Sequence, residues 1–176
     1  MVKAHFKDDL EVLQKTEKGA FFLRACGGDH KDLKPYSGTH ISHAILNGFE
    51  RTARTTLLQT LTGESFLSEH RMSAFHRGNG CPLCGNSSSN LRHFMLECTS
   101  LDKERDTMKT LFDTVNPQIS AFLDSDKVSP LEKTIFLLTS NSQPDFSLKL
   151  TALEGIKILI GSATFLENLK SRLYHN

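Results

Sequence analysis

Apolar residues recur at three- and four-residue steps along most of the chain, which is the pattern of amphipathic helices. One run predicts a helix over about residues 40–62 and consists of Ile41, Ile45, Phe49, Ala53, Leu57, Leu58 and Leu61. A second run predicts a long C-terminal helix and consists of Leu153, Ile156, Leu159, Ala163, Leu166, Leu169 and Leu173. The pattern therefore predicts two long helices, one over about residues 40–62 and one near the C-terminus.

Shorter helices are predicted before and between these two. Phe6, Leu10 and Leu13 indicate a helix over about 3–17, and residues 65–75 indicate another. Ser89 or Asn90 can cap a helix that runs through Cys98, and Ser100 can begin the next one. No series of hairpins or strand–helix–strand units is present, although residues 146–150 alternate and suit a strand or an extended lead-in. The predicted fold class is mainly α.

Two helix starts carry sharper signals. Ser129-Pro130-Leu131-Glu132 places a capping Ser before a Pro at the first helical position, with Glu three residues after the cap. Thr151-Ala152-Leu153-Glu154 is a second capping box. These signals and the connections suggest three segments. They are an N-terminal helix with an irregular linker (1–39), a central helical domain (40–115) and C-terminal helices that pack on the same core (116–176).

Charge gives no strong overall field, since 21 Lys and Arg residues face 20 Asp and Glu residues. The cations of residues 51–105 are mostly arginines, which grip phosphate in a planar fork; they are Arg51, Arg54, Arg71, Arg77, Arg92, Lys103 and Arg105. The chain has no apolar run long enough to span a membrane, and its first residues lack a signal-peptide core. We therefore expect an intracellular protein, nuclear or cytoplasmic, whose four cysteines serve metal or redox chemistry.

The most specific feature is the run Cys81-Pro82-Leu83-Cys84-Gly85, followed by His93 and Cys98. A C-x2-C turn can bring two sulfurs to about 3.7 Å apart on one tetrahedral ion. His93 and Cys98 would lie about 140° apart in azimuth on a regular α-helix, so the helix should loosen or end before Cys98. Three thiolates and one imidazole are typical of a closed structural Zn²⁺ site, which predicts a CCHC zinc knuckle embedded in the helical domain.

Other chemistry is weighed against this interpretation. A redox role for Cys81 and Cys84 would need a strand–helix setting, and a turn precedes them instead. A nuclease site on Asp145, Glu154 and Lys157 has the wrong spacing, and the capping box explains Glu154 better. A second metal at Cys26 and His30, with His40 and His43, lacks a second half at convincing spacing. The sequence therefore predicts no catalytic residue.

Residues 51–105 resemble the C-terminal zinc-knuckle (CCHC) region downstream of the reverse transcriptase in non-LTR (LINE-type) retrotransposon polyproteins. The resemblance rests on Leu61-Thr62-Gly63, the Cys81–Gly85 turn, the His93-x4-Cys98 pair and Arg105. Arg51 and Arg54 match spaced arginines of that family. The family commonly has His after the Leu-x-Thr-Gly run, where this chain has Glu64. The chain looks like an excised fragment or a stand-alone derivative.

The resemblance implies binding of RNA or DNA, with a reverse transcriptase core as a possible partner. Zinc knuckles stack bases on aromatic or apolar side chains and hold the backbone with cations. The stacking candidates are Phe75, His76, Phe94 and Met95. The nucleic-acid-binding candidates are Arg51, Arg54, Arg71, Arg77, Arg92 and Arg105. The alternative interpretation is a zinc-stabilised helical scaffold for protein–protein interaction, in which the same aromatic residues belong to the core.

Overall fold

The described part of the chain is almost entirely helical. A computed structural model describes residues 51–61, 65–67, 80–140, 148 and 150–175. Of these residues 74% are helical and none forms a strand, which confirms a mainly α fold. The α-helices are α1 (Arg51–Leu61), α2 (Asp102–Val115), α3 (Pro117–Asp124), α4 (Pro130–Thr139) and α5 (Ala152–His175). A π-helical segment (His93–Glu97) and a 3₁₀ turn (Thr99–Leu101) lie between α1 and α2.

The predicted helix starts of α4 and α5 are confirmed. Before α4, the Ser129 side chain accepts from the Glu132 amide at 3.2 Å, and the Glu132 carboxylate accepts from the Ser129 amide at 2.7 Å. Before α5, Thr151 and Glu154 make the same reciprocal pair at 3.3 and 2.7 Å. Each box satisfies two amides that lack a partner within the helix. The sequence therefore defines these two helix starts.

Two details of the sequence interpretation are wrong. Ser100 does not begin α2, because its hydroxyl donates to the Leu83 carbonyl at 2.7 Å and the helix starts at Asp102 after a 3₁₀ turn. Helix α3 was not predicted, although Asn116 caps it and Pro117 takes its first position. Asn116 accepts from the Gln118 amide at 3.0 Å and donates to Glu154 at 3.1 Å. It thereby ties the start of α3 to the start of α5.

The long helix α5 is the centre of the packing, because it contacts α1, α2 and α4. Its crossing with α2 is close at Gly161, where an added Cβ would lie 2.9 Å from the buried ring of Phe112. On its other side Thr56 of α1 donates to the Glu167 carboxylate. Helix α4 contacts the π-helical segment, and the rings of Phe122 and Phe136 lie 4.6 Å apart beneath it. The segment with the predicted metal ligands His93 and Cys98 therefore packs on the same core as the C-terminal helices.

The buried side chains of the described residues form one cluster that reaches from Leu57 to Leu169. It includes Phe94, Met95 and Cys98, all of which are fully buried. Among the described residues no helix is long and apolar enough to cross a membrane. The predicted helices over 3–17 and 65–75, the possible strand at 146–150 and the possible second metal site at Cys26 and His30 fall wholly or mostly outside the described residues. The division into segments at 39 and 115 stays a prediction.

Candidate metal centre

The turn that carries Cys81 and Cys84 is built on two glycines with positive φ. Gly80 has φ +129°, and a Cβ there would lie 2.4 Å from the carbonyl oxygen of Asn86. Gly85 has φ +74° and faces open space. The Cys81 amide donates to the Asn86 carbonyl at 2.6 Å, and the Gly85 amide donates to the Cys81 carbonyl at 2.9 Å. These bonds close the loop and place both sulfurs on one side of it.

The other two ligands come from one widened helical turn. Asn90 caps this turn by accepting from the His93 amide at 2.8 Å. The Cys98 amide donates to the His93 carbonyl at 2.7 Å, an i→i+5 bond that is characteristic of a π-helix. Such a turn holds more residues than an α-helical turn, so Cys98 returns toward the face of His93. At Cys98 the backbone becomes extended, with ψ 110°. The prediction that the helix loosens and ends before Cys98 is confirmed.

The ligand atoms of Cys81, Cys84, His93 and Cys98 all lie within 4.8 Å of one another. The Cys81 and Cys98 sulfurs are 3.7 Å apart, and the Cys84 sulfur is 3.3 Å from Nε2 of His93. Zn–S and Zn–N bonds of about 2.3 and 2.0 Å place tetrahedral ligand atoms about 3.5–3.8 Å apart. The observed separations of 3.7 and 3.3 Å lie close to this range and the remaining pairs lie within 4.8 Å, so small shifts of these side chains would let the four of them hold one metal ion.

Backbone amides and burial set the protonation of the thiols. The pKa of Cys84 lies below its usual value of 9.0, chiefly because the Asn86 amide donates to its sulfur. Burial raises the pKa of Cys98 to about 12, and the neighbouring thiols of Cys81 and Cys84 add to this effect. Without a metal ion the Cys98 thiol therefore keeps its proton at neutral pH. A bound cation has to displace protons, since thiolates are the metal-binding form.

Groups from three neighbouring elements bond to the ends of the ligand segments. Ser100 joins the 3₁₀ turn to the knuckle through its bond to Leu83. From α2, Arg105 donates to the carbonyl of Cys98 at 2.6 Å and to that of Phe94 at 3.3 Å. From α5, Arg172 donates to the Ser100 carbonyl at 2.5 Å. The Cys98 carbonyl also accepts from the Leu101 amide at 2.9 Å and bonds Arg105 through its second lone pair, so a charged donor from a neighbouring helix adds to the backbone bonds of the site.

The structure places the predicted nucleic-acid-binding arginines differently from one another. Arg51 is exposed at the start of α1, and Arg54 lies in the same helix. Arg92 is partly exposed, and its Nε lies 3.0 Å from a Glu97 carboxylate oxygen. Arg105 points inward, to the two carbonyls and to Asp102. The remaining two candidates, Arg71 and Arg77, lie outside the described residues.

Of the four stacking candidates, two are buried and two lie outside the described residues. Phe94 and Met95 have no exposed surface, so neither can stack on a base in this conformation. The ring of Phe94 packs edge-on against His93, with centroids 5.7 Å apart. Phe75 and His76 lie outside the described residues. Phe94 and Met95 therefore belong to the core that supports the metal ligands.

The sequence predicts the four candidate ligands that the structure brings together, but not three residues that lie beside them: Ser100, which bonds to Leu83, Glu97, which lies 3.6 Å from His93, and Arg172. Glu97 had a signal in the sequence, because it lies four residues after His93 on the same helical segment. Arg172 had none, since 72 residues separate it from the Ser100 carbonyl.

No family model, no curated protein and no solved structure matches this chain.

Proposed function

We propose that this chain is a non-catalytic module that holds one structural Zn²⁺ ion on Cys81, Cys84, His93 and Cys98. The observation that carries the proposal is the convergence of three thiols and one imidazole at separations suited to a tetrahedral ion. Thiolate and imidazole donors suit Zn²⁺ and disfavour Mg²⁺ or Ca²⁺. Four protein ligands fill a tetrahedral ion and leave no position for a reacting water, so its role is structural.

The module's role is the binding of RNA or DNA in a retroelement-derived protein. The support is the resemblance of residues 51–105 to the retrotransposon region and the arginine-rich character of that segment. The exposed Arg51 agrees with this role. Arg54, Arg71 and Arg77 are the further phosphate-binding candidates, with Arg92 at the edge of the metal site. Arg105 contributes through the fold, because its guanidinium is already bonded to two carbonyls.

A second candidate function is a zinc-stabilised scaffold that binds another protein, including a reverse transcriptase core. The burial of Phe94 and Met95 favours it, since these side chains offer bases no stacking surface. The near-neutral net charge of +1 also favours it, because no general field attracts nucleic acid. The two functions differ in their dependence on salt and can be separated by measurement.

The test combines metal content with binding at two salt concentrations. Metal analysis of the purified chain should find one zinc per chain. Labelled single-stranded RNA and duplex DNA are then titrated with the same sample. Binding that is micromolar or tighter should weaken steeply with salt, with a log–log slope of about −0.7 per phosphate neutralised on single strands.

Matched variants locate the binding residues. Replacing Arg51, Arg71 and Arg77 together by Gln should weaken binding and flatten the salt slope, with zinc content unchanged. Replacing Lys127, Lys157 and Lys170 by Gln removes the same charge outside the 51–105 segment and should have a smaller effect. Absence of binding at low salt in a zinc-loaded sample would reject the nucleic-acid role and leave the protein scaffold.

A further inference from the structure

The two ring nitrogens of His93 face different surroundings. Nε2 lies 3.3 Å from the Cys84 sulfur, on the side where the four ligand atoms converge. Nδ1 is buried and has no hydrogen-bond partner among the described residues. The side chain as a whole is only 2% exposed, so solvent does not reach this nitrogen freely. An oxygen of Glu97 lies 3.6 Å from Nδ1, just beyond hydrogen-bond range.

A metal ion on Nε2 requires a particular form of the ring. The neutral imidazole carries one proton, and the nitrogen that binds a metal must be the one without it. Binding through Nε2 therefore places the proton on Nδ1. A buried N–H group without an acceptor is costly, and metal-binding histidines usually donate this hydrogen to a carboxylate, a carbonyl or a water.

We infer that Glu97 is the positioning residue of the metal centre: its carboxylate accepts the Nδ1 hydrogen of His93 and thereby keeps Nε2 directed at the ion. This inference rests on the proposed zinc site. Glu97 lies four residues after His93 in the π-helical segment, and a small rotation of its side chain closes the 3.6 Å gap. The same segment that presents two metal ligands thus presents the group that orients one of them.

Arg92 holds the carboxylate in place for this task. Its Nε lies 3.0 Å from one Glu97 oxygen, while the other oxygen faces His93. An ion pair between two partly exposed side chains stabilises a fold only weakly by itself. Its position gives it a further role, because Arg92 offsets the negative charge that Glu97 adds beside three thiolates. Arg92, Glu97 and His93 form a chain of contacts that ends at the ion.

The experiment compares three variants of the full chain. Glu97→Ala removes the acceptor, and Glu97→Gln retains an oxygen acceptor without the charge. Asp124→Ala is the matched control, since it removes an exposed carboxylate whose partner, Lys109 at 2.6 Å, lies away from the metal centre. Zinc affinity is measured by competition with a chelator. Long-range ¹H–¹⁵N NMR of the zinc-loaded protein reports which nitrogen of His93 carries the proton.

In the wild-type protein we expect the proton on Nδ1 and the metal on Nε2. Glu97→Ala should weaken zinc binding about 10- to 100-fold, the usual effect of removing such a partner, and should shift the Nδ1 resonance. Glu97→Gln should lose less affinity than Glu97→Ala, again with a shifted Nδ1 resonance. Asp124→Ala should bind zinc like the wild type.

Three outcomes would overturn the inference. One is wild-type zinc affinity in Glu97→Ala; another is a metal on Nδ1 in the wild-type protein. The third is an Nδ1 resonance of His93 that has the same position in Glu97→Gln as in the wild type. This outcome can be tested even if Glu97→Ala does not fold. A wild-type chain that holds no zinc would instead reject the proposed function, and this inference with it.

Discussion

Single arginines beside the metal centre act on carbonyl groups of the backbone. Arg105 reaches the carbonyls of Phe94 and Cys98 from α2, and Arg172 reaches that of Ser100 from α5. A carbonyl oxygen has two lone pairs, so the Cys98 carbonyl can accept from the Leu101 amide at 2.9 Å and from Arg105 as well, and a guanidinium offers several donors in a fixed plane. A residue type that suggests phosphate binding in the sequence thus has a structural role at Arg105.

Exchange of Arg105 should affect stability before it affects ligand binding. We expect Arg105→Gln to lower the free energy of unfolding of the zinc-loaded protein by about 2 kcal/mol, since charged hydrogen bonds to buried acceptors are lost. Lys103→Gln on the exposed side of α2 removes the same charge and should change it little. Denaturant unfolding at saturating zinc measures the difference. Unchanged stability together with weaker nucleic-acid binding would return Arg105 to the phosphate-binding set.

The glycines of the knuckle give a second prediction. Gly80→Ala should disrupt the turn and lower zinc affinity strongly, because φ is positive and a Cβ would collide with the Asn86 carbonyl. Gly85→Ala meets no neighbour and should cost only the strain of a positive φ, about 1 kcal/mol. Chelator competition on the two variants measures the contrast. Equal losses of affinity would show that the close approach at Gly80 does not control the site.

At the residue scale, the sequence predicts the features that depend on the spacing of residues along the chain. The four ligands follow from C-x2-C, a His and a Cys, because this donor set at short spacing is rare outside metal sites. The carbonyl partners of Arg105 cannot be predicted from the sequence. A basic residue at the fourth position of a helix looks the same in the sequence whether it faces solvent or a carbonyl. Arg172 lies further still from any sequence rule, because only the packing of α5 brings it to Ser100.

At the element scale the π-helical segment is the most informative. His93 and Cys98 are five positions apart and would not face the same ion on an α-helix, so the metal motif itself predicts a departure from α-helical geometry. The helix boundaries with reciprocal caps, at Ser129 and Thr151, are predictable for the same local reason. Helix α3 was missed because eight residues hold too little periodicity, although Asn116-Pro117 is a start signal.

The start of α5 should depend on pH. The pKa of Glu154 lies below its usual value of 4.5 because the side chain and amide of Thr151 donate to its carboxylate, with a further bond from Asn116. A depressed pKa stabilises the fold above the unfolded value, and this contribution is lost as the pH falls through the folded pKa, below 4.5. We expect Glu154→Gln to cost about 0.5 kcal/mol at pH 7, from the lost charge at a helix N-terminus.

That difference between Glu154→Gln and the wild type should vanish at a pH below the folded pKa of Glu154. Urea unfolding of the two proteins between pH 7 and pH 3 measures it. Asp126→Asn, an exposed carboxylate in the turn between α3 and α4, controls for general effects of acid. A difference that persists unchanged at a pH where the Glu154 carboxylate is protonated would assign the effect to packing of the side chain and not to its charge.

At the scale of the whole molecule, one helix connects the metal centre to the remaining core. Helix α5 packs on α1, α2 and α4, and its Arg172 reaches the turn beside Cys98. Phe94 and Met95 carry the ligand segment into the common cluster of buried side chains. The metal centre is therefore built on the core and is not an appendage to it. The sequence predicts the helices and the ligands, but this coupling depends on contacts between residues far apart in the chain.

Removal of the metal should show this coupling as graded unfolding. Chelation, or Cys84→Ser, leaves three buried ligand groups without their ion, and metal binding to such sites is coupled to folding. We expect hydrogen-exchange protection to be lost first at the amides of Cys81 and Cys98, whose bonds close the two ligand turns. The α2–α5 crossing at Gly161 should keep most of its protection, because Phe112 and its neighbours are buried without help from the metal.

The last turns of α5 should lose an intermediate amount of hydrogen-exchange protection. Arg172 would lose its bond to an ordered Ser100 carbonyl but keep its ion pair with Glu104 at 2.8 Å. Hydrogen exchange measured by mass spectrometry before and after chelation resolves these three regions. Replacing zinc should restore protection in the chelated wild-type protein and not in Cys84→Ser. Uniform loss over α2 to α5 would mean that the ion controls folding of the whole core. Unchanged protection at the amides of Cys81 and Cys98 would show that a metal ion does not stabilise the two ligand turns.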